Sequence, residues 1–101
     1  ADTSEAWTRT YDGKNISDID ASIVTDHMML AAASLGLDTL WIYMFKPEAV
    51  REEFGLPDTV EPVNILLIGY GADAPASPDR HATLRKPLEE TVFYERFGQK
   101  R

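Results

Sequence analysis

The sequence predicts a mixed helix-and-strand domain whose β-sheet is incomplete. A long segment from Ile19 to Leu35 carries apolar residues at helical spacing, and Gly36 follows it as a stop. "VNILLIGY", Val63 to Tyr70, reads as a strand whose unbroken Ile65-Leu66-Leu67-Ile68 suggests burial on both faces of a sheet. A strand buried in that way needs neighbours on both edges. The chain offers only a second candidate at 40–45 and a third near the C-terminus. The missing strands must come from a second copy or from a segment outside these residues. A start at Ala1 rather than Met favours the latter.

Each element follows from local chemistry. Residues 1–15 are polar apart from Trp7 and Tyr11, with a turn at Asp12-Gly13. Ser17 or Asp18 is placed to cap a helix starting near Ile19. On that helix Ile19, Ile23, His27, Leu30 and Ser34 share one stripe. Val24, Met28, Ala31 and Leu35 lie beside it, so the apolar face broadens through "MMLAAAS" and demands cover on most sides. Pro47 suits the first turn of a second helix over 48–54, and Glu48 complements its positive end. Gly55 ends it, and Pro57 prevents continuation. Residues 71–87, with Gly71, Pro75, Pro78 and Pro87, read as a long loop. "LEETVFYERF" reads as an edge strand or a docking arm.

Composition narrows the functional classes. With a net charge of -7 and no dense basic cluster, the chain is a poor partner for nucleic acid or an anionic membrane. With no cysteine it has neither disulfides nor thiol chemistry, which fits a reducing cytoplasm. No apolar run is long enough to span a bilayer.

The candidate sites are few. His27 and His81 are the only histidines and lack metal-ligand spacing; His27 reads as a polar core or interface residue and His81 as a solvated one. Glu52-Glu53 and Glu89-Glu90 are adjacent pairs that point apart and read as surface charge. "GYGADA" is a poor match to a dinucleotide-binding turn, since no helix follows it. Two features remain. Arg80, His81, Arg85 and Lys86 gather potential cations in an acidic chain, either as phosphate ligands or as a solvated loop balancing carboxylates. Leu40-Trp41-Ile42-Tyr43-Met44-Phe45 is a core strand or a wall for a flat aromatic ligand. Together, a flat wall and phosphate-seeking cations suit flavin mononucleotide (FMN). Any reaction would then be carried by a cofactor rather than by side chains.

"DIDASIVTDHMMLAAASLGLDTLWIYMFKPEAVREEFGLP", "EPVNILLIGY" and "LRKPLEETVFYERF" occur in an order and spacing that resembles the nitroreductase family, over nearly the whole chain. The resemblance implies an α+β sandwich with a central helix and a mainly antiparallel sheet, seen here as its C-terminal part, residues 1–101 of a single domain. It implies a cytoplasmic homodimer whose C-terminal arm, residues 88–101, docks on the partner subunit, and an N-terminal segment that is absent. It implies hydride transfer from NAD(P)H through FMN to a nitroaromatic, quinone or similar small molecule. In that family the backbone at the positions of Trp41, Ile42, Tyr43 and Met44 faces the flavin ring, where many members carry glycine near Tyr43 and Met44. Arg85 matches a late arginine that contacts the FMN phosphate, with Lys86 and Arg80 as weaker matches. Two alternatives stand beside this reading: a non-catalytic dimerisation piece, and another flavin reaction such as reductive dehalogenation.

Overall fold

The computed structural model describes residues 1–101 and shows an α+β arrangement with an incomplete sheet. Helix α1, Ser17–Ser34, leads into strand β1, Asp38–Ile42. Helix α2, Pro47–Phe54, precedes strand β2, Ile65–Gly69. Two short helices follow, α3 at Arg80–Leu84 and α4 at Leu88–Thr91. The two strands form one antiparallel ladder, with Asp38 opposite Gly69, Leu40 opposite Leu67 and Ile42 opposite Ile65.

The start of α1 differs from the expected Ser17 or Asp18 cap. Ser17 is already helical, and its N–H donates to Asn15 Oδ1 at 3.0 Å. Asn15 can serve because its Nδ2 lies 3.0 Å from Thr3 O and 2.9 Å from Thr8 Oγ1, which fixes the carboxamide against the N-terminal turn. The end of α1 is as expected. Gly36 adopts φ +73°, Leu37 N–H returns to Ala32 O at 3.0 Å and Gly36 N–H to Ala33 O at 3.0 Å. These two bonds make a Schellman stop. Helix α2 starts at Pro47 and ends at left-handed Gly55, also as expected. Arg51 of α2 pairs with Glu61 and donates from Nη1 to Pro57 O at 3.1 Å, tying α2 to the segment before β2.

Both strands are shorter than expected. Strand β1 stops at Ile42, and beyond it Phe45 N–H lies 3.1 Å from Tyr43 O. Strand β2 begins only at Ile65 and is not covered on both faces; Leu67 and Ile68 are half exposed. The loop expected at 71–87 contains α3, started by Ser77 and Pro78 carbonyls that accept from Arg80 N–H and His81 N–H at 3.2 Å each. The C-terminal edge strand is replaced by α4 and a compact turn. There Phe93 and Phe97 rings sit 4.7 Å apart and Lys100 Nζ lies 4.2 Å above Phe93. This local aromatic and cation–π cluster folds the segment on itself instead of extending it.

The N-terminal turn is polar and self-bonded. Arg9 and Asp12 form an exposed ion pair that lowers the Asp12 carboxyl below the ordinary range and raises the Arg9 guanidinium. Asp2 is lowered by hydrogen bonds from the Ser4 side chain and backbone.

Burial is sparse. Only Ala32, Ser17 and Thr25 are buried, and the radius of gyration is 18.3 Å. A compact domain of this length would have about 13 Å. Along α1, Ile23, Val24, Met28 and Leu30 are exposed. The apolar faces needed for a core exist, but this chain does not close over them.

Candidate functional site

The open end of the β1–β2 ladder gathers the chain's chemistry. Helix α1 packs beside β1, and an open groove of about 710 Å³ runs between them. One wall consists of two adjacent ridges of α1: Asp18, Ser22 and Asp26, and Ile19, Ile23 and His27, each spaced by four residues. Trp41 of β1 closes the other side. Sequence reasoning placed His27 in a core or interface stripe; the structure leaves it exposed at this groove. No spacing in the sequence joins His27 to Trp41; the packing of α1 beside β1 does.

Past Ile42 the connector opens. Tyr43 is 76% exposed and Met44 94% exposed. Tyr43 borders a smaller hollow of about 210 Å³ with Phe45, Pro47 and the Glu61–Val63 segment. Neither the Tyr43 nor the Met44 amide donates to any acceptor of the chain. The connector thus carries two free N–H groups next to Trp41 in sequence.

The basic residues lie elsewhere. Arg80 opens α3 and spends its Nη1 on Ala76 O at 2.8 Å and Ser77 O at 2.9 Å. Arg85 follows α3 in an extended conformation, and Arg85 and Lys86 are exposed. None of the three lines a hollow with Trp41, Ile42, Tyr43 or Met44. Within one chain the wall and the cations are therefore not brought together. No group of His, Asp and Glu is arranged to hold a metal ion, and no helix is long and apolar enough to cross a membrane.

The exposed connector fits one half of a flavin's needs. Its aromatic side chains suit a planar ring, and its unpaired amides suit ring acceptors at the edge. The arginine and lysine residues expected to meet a phosphate, Arg80, Arg85 and Lys86, share no hollow with the connector.

Comparison with known proteins gives a consistent result. The nitroreductase family profile matches residues 4–70. A "Putative NADH dehydrogenase/NAD(P)H nitroreductase" of Methanothermobacter thermautotrophicus is 34% identical over 75 residues, covering 70% of this chain and 39% of the relative. A protein of the same name from Archaeoglobus fulgidus is 31% identical over 58 residues, covering 54% of this chain and 33% of that relative. The crystal structure of a nitroreductase family protein from Clostridium difficile 630 superposes with a TM-score of 0.90 at 55% identity, covering 96% of this chain and 56% of the other. The chain thus spans 33–39% of the curated relatives' length and 56% of the solved one. The match runs through α1, the connector and β2, the elements that build the groove and free the amides. On these grounds the chain belongs to the nitroreductase family.

Proposed function

We propose that these residues are part of an FMN-dependent oxidoreductase, a cytoplasmic homodimer. It takes hydride from NAD(P)H and delivers it to a nitroaromatic, quinone or similar small acceptor. The observation that carries this reading is the pair of unpaired amides at Tyr43 and Met44, set beside Trp41 on an exposed connector. FMN, when bound, supplies the two-electron chemistry. The chain's own residues bind and orient. The Met44 N–H donates to an acceptor atom at the ring edge, a donor left free where the ladder ends. Trp41 offers a stacking face and keeps water from one side. Arg85, with Lys86 and Arg80, neutralises phosphate. Because those cations share no hollow with the connector in one chain, this reading has them act on a site completed by a second copy or a further segment. The arm at 88–101, with Phe97 almost fully exposed, docks on the partner subunit.

A second reading has one observation in its favour. The separation of the cations from the wall suits a non-catalytic dimerisation piece. The two are separated by purifying the intact protein and recording its visible spectrum and its oxidation of NADH and NADPH. A yellow protein that oxidises either nucleotide is expected. A colourless one that FMN cannot reconstitute refutes the enzyme reading and leaves the dimerisation piece.

A further inference from the structure

Thr25 is one of three buried residues in the chain, at 7% exposure, and it is polar. Its Oγ1 lies 2.8 Å from Ala21 O, one turn back on α1, and 3.1 Å from Asn64 Oδ1, just before β2. A hydroxyl has one hydrogen to give. With the Asn64 carboxamide turned so that its NH₂ faces Thr25, both approaches are satisfied: Asn64 donates to Oγ1, and Oγ1 donates to Ala21 O. This pair joins α1 to the entry of β2 across 39 residues of sequence.

Its position in the ladder gives it significance. The register ends at Ile42 opposite Ile65, so Tyr43 would next face Asn64 and Met44 would face Val63. No bond joins Tyr43 to Asn64. The terminal Ile42–Ile65 pair is therefore the hydrogen-bonded one, and the next bonded pair of a continuing ladder would be Met44 with Val63. That bond is also absent. The ladder thus stops one step before it would consume the Met44 amide. Asn64 is the residue at which it stops, and its side chain is held by α1. The Tyr43 N–H, by the same alternation, faces away from β2 at the open edge.

We infer that Thr25 and Asn64 form a positioning latch: it holds the entry of β2 against α1, so that the Met44 amide stays unpaired and available to a ligand acceptor. The role of that amide toward flavin rests on the function proposed above; the latch itself does not.

The test uses the intact protein with any flavin removed, and reads amide hydrogen exchange at individual residues. In Thr25→Val, which keeps the shape and loses the hydroxyl, and in Asn64→Leu, the ladder extends. Exchange at the Met44 amide then slows by about fivefold, the worth of one net hydrogen bond. Thr25→Ser, which keeps the hydroxyl, leaves it unchanged. Simple loosening of the fold would speed exchange instead, so the sign separates a latch from a merely structural contact. Unchanged or faster exchange at Met44 in the variants that fold overturns the latch. Asn64→Ser, whose side chain is too short to reach Thr25 Oγ1, stands in if the apolar replacements do not fold, and slower Met44 exchange is again the expected result. FMN affinity is then measured on the same proteins, with about a fivefold weakening expected in Thr25→Val. Slower exchange with unaltered affinity would overturn the positioning role and leave both the latch and the flavin reading standing. A wild-type protein that binds no FMN would overturn the positioning role through the proposed function, leaving the exchange result to decide the latch.

Discussion

A polypeptide limited to residues 1–101 should not fold as a cooperative monomer. Its accessible surface is 8729 Å² at a mass of 11.3 kDa. A compact monomer of that mass exposes about 5,700 Å² by the usual scaling of surface with mass. The excess, about 3,000 Å² on one chain, is larger than the roughly 1,000–2,500 Å² a side that obligate partners bury. Much of it is apolar: Ile23, Val24, Met28 and Leu30 on α1, and Leu40, Leu67 and Ile68 on the sheet. Surface of this kind is covered by self-association or by the rest of the protein, since leaving it wet costs about 25 cal/mol for each apolar Å². Sedimentation velocity of the isolated polypeptide should show association or an expanded chain. Urea titration followed by Trp7 and Trp41 fluorescence should show a broad transition. A compact monomer with a sharp, protein-concentration-independent transition would refute the reasoning.

Three further outcomes are expected. Gly36→Ala in the intact protein should destabilise it by about 1 kcal/mol, because the φ of +73° is costly for a side chain although the Cβ meets nothing within 4 Å; thermal unfolding checks this, with Gly69→Ala as the control at negative φ. Acidification should loosen the N-terminal turn: Asp2 and Asp12 have lowered carboxyls, so their contribution is present above the ordinary carboxylate range and is lost as pH falls through their depressed folded values. Proton chemical shifts of residues 8–14 against pH would follow that change, and Asp12→Asn should abolish the Asp12 part. Arg85→Ala should weaken FMN binding by about 10-fold or more, the worth of a charge-assisted phosphate bond, measured by fluorescence titration; unchanged affinity would remove Arg85 from the site.

The stops were more legible in the sequence than the starts. Gly36 and Gly55 end their helices because a left-handed residue is a local demand that glycine meets alone. The start of α1 differs because Ile16 holds the cap position and the Ser17 N–H is met from outside by Asn15, which depends on Thr3, Ala6 and Thr8 to hold its carboxamide. Helix α3 was hidden among prolines; Pro78 starts the turn there rather than breaking it. The C-terminal segment was apolar enough for a strand, but Phe93, Phe97 and Lys100 find each other within one turn. A rule that looks for alternation does not see contacts made by folding back. The incomplete sheet, by contrast, was readable, since it needs only a count of strands against the burial that "NILLIG" demands.

The site was half legible for a related reason. Aromatic residues at 41–45 announce a surface, and Trp41 does border a groove. What makes the connector chemically useful is not in those side chains. Any residue except proline would present the same amide at positions 43 and 44. Whether that amide is free depends on where two strands part, and here they part at Asn64, whose partner Thr25 lies on a helix far away in sequence. Reading side chains along the connector therefore finds the wall and misses the donors. A change at Tyr43 alters the shape of the smaller hollow while keeping the backbone amides. A change at Thr25 or Asn64, neither of which borders the groove, alters the hydrogen bonds while keeping its shape. Comparing the two kinds of variant on one protein separates what the connector contributes through bulk from what it contributes through backbone.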